Sequence, residues 1–350
     1  MTKKRISYAG KEVFLGMDVH KSFYVVSAVC DGELVKLCRL PARANEVINF
    51  IKKYFPGATV RSCYEAGFSG FGLHRVLEGA GIENLVVHAA AVEVSSRDRV
   101  KTDKRDSTKL AIQLAGGRLK GIRIPSEREE RSRLLSRTRE QLCRSISRAR
   151  IQIRMKLHQF DLMDSNENRV LSRRMVRETL DNGACPEVRM SVEVLLLSWE
   201  SMLVQKRKLE KEFRRRSEKD PIYLTWLSLP GIGPVSSRIL GDELGDMSQF
   251  SNERCLFSFT GLTPGEYSSG EKVHRGHISR QGSARLRHTL VEAAWRAIRI
   301  DTSLKEDFER IAARRGKKRA IVAIARKLVG RARAVFRTQE VYQLGYSKAA

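Results

Sequence analysis

Between residues 11 and 125 the chain alternates short apolar runs with segments of helical period, the pattern of an α/β domain. EVFLGMDV and FYVVSAVC are β-branched and aromatic runs separated by His20, Lys21 and Ser22, and read as adjacent strands; ELVKLCRL reads as a third beside them. In ANEVINFIKKYF, Val47, Phe50, Ile51 and Tyr54 fall on one face, which predicts a helix. ATVRSCYEA then reads as a strand, GFGLHRVLEGAG as a helix closed by Gly81, and NLVVHAA as a further strand. Two acids, Asp18 and Glu65, therefore stand at strand ends, where open α/β sheets gather their chemistry.

From Ser126 the pattern turns to long, charged helices. Leu135, Leu142, Ile146, Ala149, Ile153 and Leu157 recur at intervals of three, four or seven, an apolar seam on a basic helix. DNGACPE interrupts this pattern and VEVLLLSWESMLVQKRKLEKEFRRR resumes it. Such a seam suits either a hairpin within the chain or pairing with a second protomer. Beyond Pro221, LSLPGIGPVSSRILGDEL resembles the turn of helix-hairpin-helix modules, where glycines let a DNA phosphate approach the backbone and the next helix N-terminus binds it. A plain glycine-rich turn is the alternative. GLTPGEYSSGEKVHRGHISRQGSARLRHTLVEAAWRAI follows as a Gly-, Ser- and cation-rich loop leading into a helix, and ARRGKKRAIVAIARKLVGRARAVF as a basic amphipathic helix. The expected organisation is an α/β domain over 11–125, a helical, coiled-coil-like linker over 126–220, a mainly α C-terminal domain over 221–335 and a tail over 336–350.

Charge changes the picture. Lys and Arg outnumber Asp and Glu 66 to 40, a formal net charge of +26, so the expected partner is a polyanion, with nucleic acid first. With 41% hydrophobic residues the chain has the means to build a core. The six cysteines include no CxxC pair, which argues against a zinc ribbon or a disulfide framework. The longest apolar runs are too short to cross a bilayer and no stretch has a signal-peptide layout, so the expected location is the cytoplasm.

Against that basic background the acids stand out. VKTDKRDSTKLA places Asp103 and Asp106 at i and i+3 of a helix start, where both face one side, among Lys101, Lys104 and Arg105, which are read as nucleic-acid-binding. Carboxylates from separate strand and helix ends suit hard divalent ions, and two such ions ~3.5–4 Å apart serve phosphodiester cleavage. An exposed acid pair that only offsets the neighbouring lysines and arginines is the competing reading.

Taken together, GMDVHK, YEAG, KTDKRDSTKLA and the downstream GLTPGEYSSG…RGHISRQGSARLRHTLVEAA resemble the DEDD transposases of the insertion sequence 110 family, in the family order and across most of the chain. The resemblance implies an RNase H/RuvC-like N-terminal domain, a helical linker and a C-terminal transposase domain with a nucleophilic serine. It implies a recombinase of a bacterial or archaeal cell, associated with the nucleoid, that acts on donor and target DNA under the guidance of a structured bridge RNA. It also implies Mg²⁺, as two ions, and a homo-oligomer, a dimer or tetramer. Carried over by position, the catalytic and metal-binding acids are Asp18, Glu65, Asp103 and Asp106. The family's Ser-before-Gly register selects Ser269 as nucleophile over Ser268. Arg275, His277, Arg280, Arg285 and Arg287 are then expected on backbone phosphates near the cut. One departure is Ser107, where the family pattern usually has Ala, a change expected to affect local helix packing alone. A RuvC-like junction-resolving endonuclease, in which metal-activated water replaces the serine, is the alternative of a different mechanistic class.

Overall fold

The computed structural model describes residues 7–93, 102–164, 169–269, 272, 275–279, 281–340 and 342–345. The chain divides into two compact units, Met1–Ile124 and Pro125–Ala350.

In the first unit the expected strands are present: β1 (Glu12–Val19), β2 (Phe23–Cys30), β3 (Glu33–Pro41), β4 (Thr59–Glu65) and β5 (Glu83–Val87), in the sheet order β3-β2-β1-β4-β5. β1, β2 and β3 pair antiparallel through short turns, whereas β1, β4 and β5 pair parallel. Parallel neighbours need a crossover, and α1 (Ala44–Tyr54) and α2 (Gly72–Gly79) supply the helices. The two-residue period of a strand sorts β1 into two faces. Val13, Leu15 and Met17 pack with Val47, Phe50, Leu73 and Leu77 of α1 and α2. Burying each such side chain contributes ~1.5–3 kcal/mol. Phe14, Gly16 and Asp18 alternate onto the other face, where α3 (Asp103–Ala115) lies and where Leu110 and Leu114 pack with Cys63 and Val87.

Gly16 lets α3 come down onto the sheet, since a Cβ at this position would sit 2.1 Å from the Ser107 carbonyl oxygen and 2.4 Å from the Ala111 nitrogen. Ser27, directly across the ladder from Gly16, reaches the Ser107 hydroxyl at 2.8 Å and that of Thr108 at 2.9 Å. The buried Ser107 hydroxyl thus has a partner on β2, so the departure from Ala at this position is met by a polar contact on the sheet.

The second unit is mostly helical. α4 (Glu127–Gln159) opens with a capping box between Ser126 and Glu129. Its Ile146, Ala149, Ile153 and Leu157 pack with Val188, Val192, Leu196 and Trp199 of α6 (Pro186–Ser217) and with Val176 and Leu180 of the intervening α5 (Arg173–Asp181). The seam is therefore filled from within the chain along this stretch, while Leu135 and Leu142 are half-buried.

The remaining helices, α7 (Pro221–Ser228), α8 (Pro234–Leu244), α9 (Glu253–Thr260), α10 (Ala284–Ala297), α11 (Thr302–Arg315) and α12 (Lys317–Thr338), surround one core that includes Trp226, Leu240, Leu290, Ala294, Ile324 and Leu328. α12, read from sequence as a basic amphipathic helix, contributes the centre of that core. Tyr342, within the expected tail, donates at 2.7 Å to Asp301, which is 1% exposed. α7 and α8 are joined by the Pro-Gly-Ile-Gly turn. Gly231 there has φ 76°, and a Cβ would lie 2.3 Å from the Ala293 carbonyl oxygen, so this glycine seats the turn on α10.

A buried ionic network ties α4, α7, α8 and α10 together. Arg238 and Tyr223 donate to the Asp242 carboxylate at 3.2 and 2.7 Å, and Arg133 donates to the Asp242 carbonyl at 2.8 Å. Arg137 donates to both Glu243 oxygens at 3.1 and 3.2 Å. Buried charges of this kind are held by their partners, and removing one partner strands the other.

Between α9 and α10 the structure has a two-stranded antiparallel hairpin, β6 (Pro264–Glu266) and β7 (Arg275–Ile278), where the sequence pattern indicated a loop. The segment is rich in glycine, serine and charge and carries no apolar alternation, so it sends no strand signal. Among the described residues no helix is long and apolar enough to cross a membrane.

Candidate functional site

β1 and β4 run parallel with Met17 opposite Tyr64. Asp18 and Glu65 follow one residue later, side by side at the C-terminal ends of the strands and on the α3 face. α3 starts at Asp103, capped by the Thr102 hydroxyl, which accepts from the Arg105 N–H at 3.4 Å. Asp103 and Asp106 occupy its first turn, where the helix dipole favours negative charge. Because α3 lies flat at Gly16, this turn is brought to the sheet end that carries Asp18.

Metal-ligating atoms of Asp18, His20 and Asp103 all lie within 4.8 Å of one another. The Nε2 atom of His20 stands 3.3 Å from Oδ2 of Asp18 and 3.3 Å from Oδ2 of Asp103. Burial raises the Asp18 carboxyl above its ordinary range, His20 opposes this, and the Asp103 and Asp106 carboxylates add to the rise. The site therefore concentrates more negative charge than one imidazole offsets, and aspartate oxygens at strand and helix ends form a donor set that fits a hard divalent cation. Glu65 is exposed and Asp106 half-buried, and both lie outside the three-residue cluster.

His20 was read from sequence only as part of a turn. The available signal was its spacing: two residues after Asp18 on an extended segment, it shares the acid's face. Its ring stacks at 4.6 Å on Phe23, which in turn lies 3.4 Å from the Arg39 guanidinium, so the imidazole is held in place from behind. Lys104 and Arg105 are exposed on the first turn of α3, and Lys101 lies outside the described residues.

In the second unit, the β6–β7 hairpin is pinned at its base. The Ser279 N–H donates to the Thr263 carbonyl at 2.8 Å, and a Cβ on Gly282 would meet the Phe259 carbonyl oxygen at 2.4 Å. Towards the tip, Ser269 and Lys272 exchange two backbone hydrogen bonds of 3.3 Å. Both serines of the YSSG segment are exposed. The Ser268 hydroxyl donates to the Glu266 carboxylate at 3.1 Å, whereas the Ser269 hydroxyl makes no hydrogen bond among the described residues.

The cations expected on phosphate divide. Arg275 opens β7 opposite Glu266, and His277 is exposed on the same strand. Arg287 donates to the Gly282 carbonyl at 3.1 Å, and Arg280 lies outside the described residues. Arg285 departs from the expectation. Its side chain is 10% exposed, 3.0 Å from Glu140 and 3.2 Å from Glu243, so its charge serves the packing of α10 on α4 and α8. Burial holds its guanidinium below the usual arginine range despite those acids.

A sheet of this order, with acids at its strand ends and on the helix laid across them, is consistent with the RuvC-like DEDD fold. Residues 15–162 match the DEDD model described as Transposase, and residues 225–309 match the model of the Transposase IS116/IS110/IS902 family. The y4qE protein of Sinorhizobium fredii is 27% identical over 91% of this chain and 87% of its own. The transposase for insertion sequence element IS1533 of Leptospira borgpetersenii is 26% identical over 91% of this chain and 93% of its own. That for element IS1111A of Coxiella burnetii is 24% identical over 95% and 91%. The chain belongs to the IS110 family of insertion-sequence transposases and is a DNA transposase, a family that works with divalent metal.

Gly16→Ala tests the seating of α3. The added methyl meets backbone rather than a flexible side chain, and overpacking of this kind costs ~1–3 kcal/mol. The expected result is a fall in melting temperature of several degrees together with loss of strand cleavage, read by calorimetry and a nicking assay. An unchanged melting temperature would show that α3 does not rest on β1.

Proposed function

We propose that this transposase cuts and rejoins DNA strands at donor and target sites through attack by Ser269, with Asp18, Glu65, Asp103 and Asp106 binding two Mg²⁺ ions, and with a structured bridge RNA choosing the sites. The observation that carries the reading is the gathering of Asp18 and Asp103 with His20 within 4.8 Å, at the first and third positions of the DEDD set. When bound, the ions would polarise the scissile phosphate and offset charge on the departing oxygen.

The chain's own groups do the rest. The acids supply oxygen donors, and His20 keeps Asp18 and Asp103 apart and oriented. A new ester bond forms between the Ser269 oxygen and phosphorus as the strand's P–O bond breaks, and the released strand hydroxyl takes up the proton. The phosphoserine ester conserves the bond energy needed for rejoining. Arg275 and His277 of β7 suit backbone phosphate, as do Lys104 and Arg105 on the first turn of α3. In this reading 11–125 is the RuvC-like catalytic domain, 126–220 the coiled-coil-like linker and 221–335 the serine-bearing domain. The Gly-Ile-Gly turn contacts phosphate in the helix-hairpin-helix manner, and the protein works as a homo-oligomer on the nucleoid.

Guidance by RNA is tested by extracting and sequencing the nucleic acid that co-purifies with the protein. The expected result is one discrete, structured RNA species with segments complementary to the donor and target sites. A heterogeneous mixture of cellular RNA would count against guidance while leaving the cleavage chemistry standing.

A further inference from the structure

The two most exposed aromatic side chains among the described residues flank the two halves of the chemistry. Phe68 is 73% exposed and follows Glu65 by three residues; Tyr267 is 90% exposed and precedes Ser269 by two. Single exposed apolar side chains are common, so exposure alone decides nothing. The way each ring is presented does.

Phe68 sits at the tip of a built turn. The Gly70 N–H donates to the Gly67 carbonyl at 3.3 Å, which makes Phe68 and Ser69 the central pair of the turn. The Tyr64 hydroxyl donates to the Gly70 carbonyl at 3.1 Å, and the Ala66 N–H donates to the Val87 carbonyl at 2.8 Å, so both ends of the turn are tied to the sheet. The ring joins none of the buried clusters of its unit. A benzyl group is therefore held out into water beside the strand ends that carry Asp18 and Glu65, on a chain whose net charge of +26 draws in nucleic acid.

Tyr267 is presented by its neighbours. The Ser268 hydroxyl reaches back to the Glu266 carboxylate at 3.1 Å, which puts residues 266 and 268 on one side of the arm. Tyr267 stands between these two joined side chains, 90% exposed and two residues before Ser269.

Joining strands of two duplexes requires the bases at the exchange step to leave one complement before they meet the next. An aromatic face offers such a base an apolar, sequence-tolerant resting surface. We infer that Phe68 and Tyr267 are stacking platforms for unpaired nucleobases of the DNA strand at the step being cut. For Tyr267 the inference rests on the Ser269 reading; for Phe68 it rests only on the DEDD acids.

The test is a binding comparison in EDTA, where no strand is cut, using a single-stranded DNA oligonucleotide, the matching duplex and the matching single-stranded RNA. Phe68→Ala and Tyr267→Ala should each weaken single-stranded DNA binding by about 5- to 100-fold, with duplex affinity and melting temperature unchanged. Phe68→Trp and Tyr267→Phe should restore binding. Phe68→Leu, which keeps apolar area but no π face, should not. Equal losses on single strand and duplex, no loss on either, or a loss confined to RNA would overturn the inference. Because binding is read without cleavage, a wild-type protein that discriminates through these rings yet forms no covalent adduct would sink the serine reading and leave Phe68 standing.

Discussion

Asp18→Asn is expected to abolish strand cleavage, by about three orders of magnitude or more, while duplex DNA affinity should stay within about twofold. Asparagine keeps the shape of the side chain and removes only its charge. Asp18 is the most enclosed of the clustered acids, with a side chain 25% exposed against 49% for Asp103, so its loss removes the best-fixed oxygen donor. Affinity is spread over many lysines and arginines and does not depend on it. The direction of the Asp18 shift adds a second readout. A carboxyl raised by burial and by neighbouring acids opposes folding when it ionises, so neutralising it should leave the melting temperature equal or higher. Glu65→Gln, Asp103→Asn and Asp106→Asn should likewise end cleavage. Full nicking activity in Asp18→Asn, or wild-type activity undiminished by EDTA, would remove the acids from the chemistry.

Ser269→Ala is expected to eliminate the covalent protein–DNA adduct of the proposed mechanism on denaturing gels, and Ser268→Ala to keep it. The two serines are adjacent and both exposed, yet they are not equivalent: the Ser268 hydroxyl is donated to Glu266, and that of Ser269 makes no hydrogen bond among the described residues. Neither substitution touches a buried side chain, so both variants should melt with the wild type, and a lost adduct reports chemistry rather than unfolding. A reversed result would move the nucleophile to Ser268. Nicked product without any adduct, in the wild type and in Ser269→Ala alike, would make water the nucleophile and the protein a junction-cutting nuclease in mechanism.

The N-terminal sheet was legible because its strands are apolar runs punctuated by turn residues, and Asp18 and Glu65 announce themselves as acids at the ends of those runs. The pairing of Asp103 with Asp18 was half-legible. The i, i+3 spacing showed that Asp103 and Asp106 share a helix side, but that α3 reaches β1 depends on the missing side chain of Gly16, which no periodicity reveals. His20 was read as turn because it stands in a short polar connector, where its two-residue spacing from Asp18 was the one signal. Arg285 misled for a related reason: in a segment with arginines at 275, 280, 285 and 287, nothing local singles out the one that meets Glu140 and Glu243. α12 illustrates the limit of charge as a guide, since its basic face is conspicuous in sequence while its other face, with Ile321, Ile324, Leu328 and Val329, belongs to the core of the second unit.

The pinned base of the β6–β7 hairpin separates two kinds of selection. Between Thr263 and Ser279 no described side chain is fully buried, and the closing contacts at the base are made by backbone. Substitutions along the arm therefore leave the surrounding helices packed as before. Described residues along the arm can therefore change under selection other than that for folding, while the helices beneath stay bound by the demands of packing.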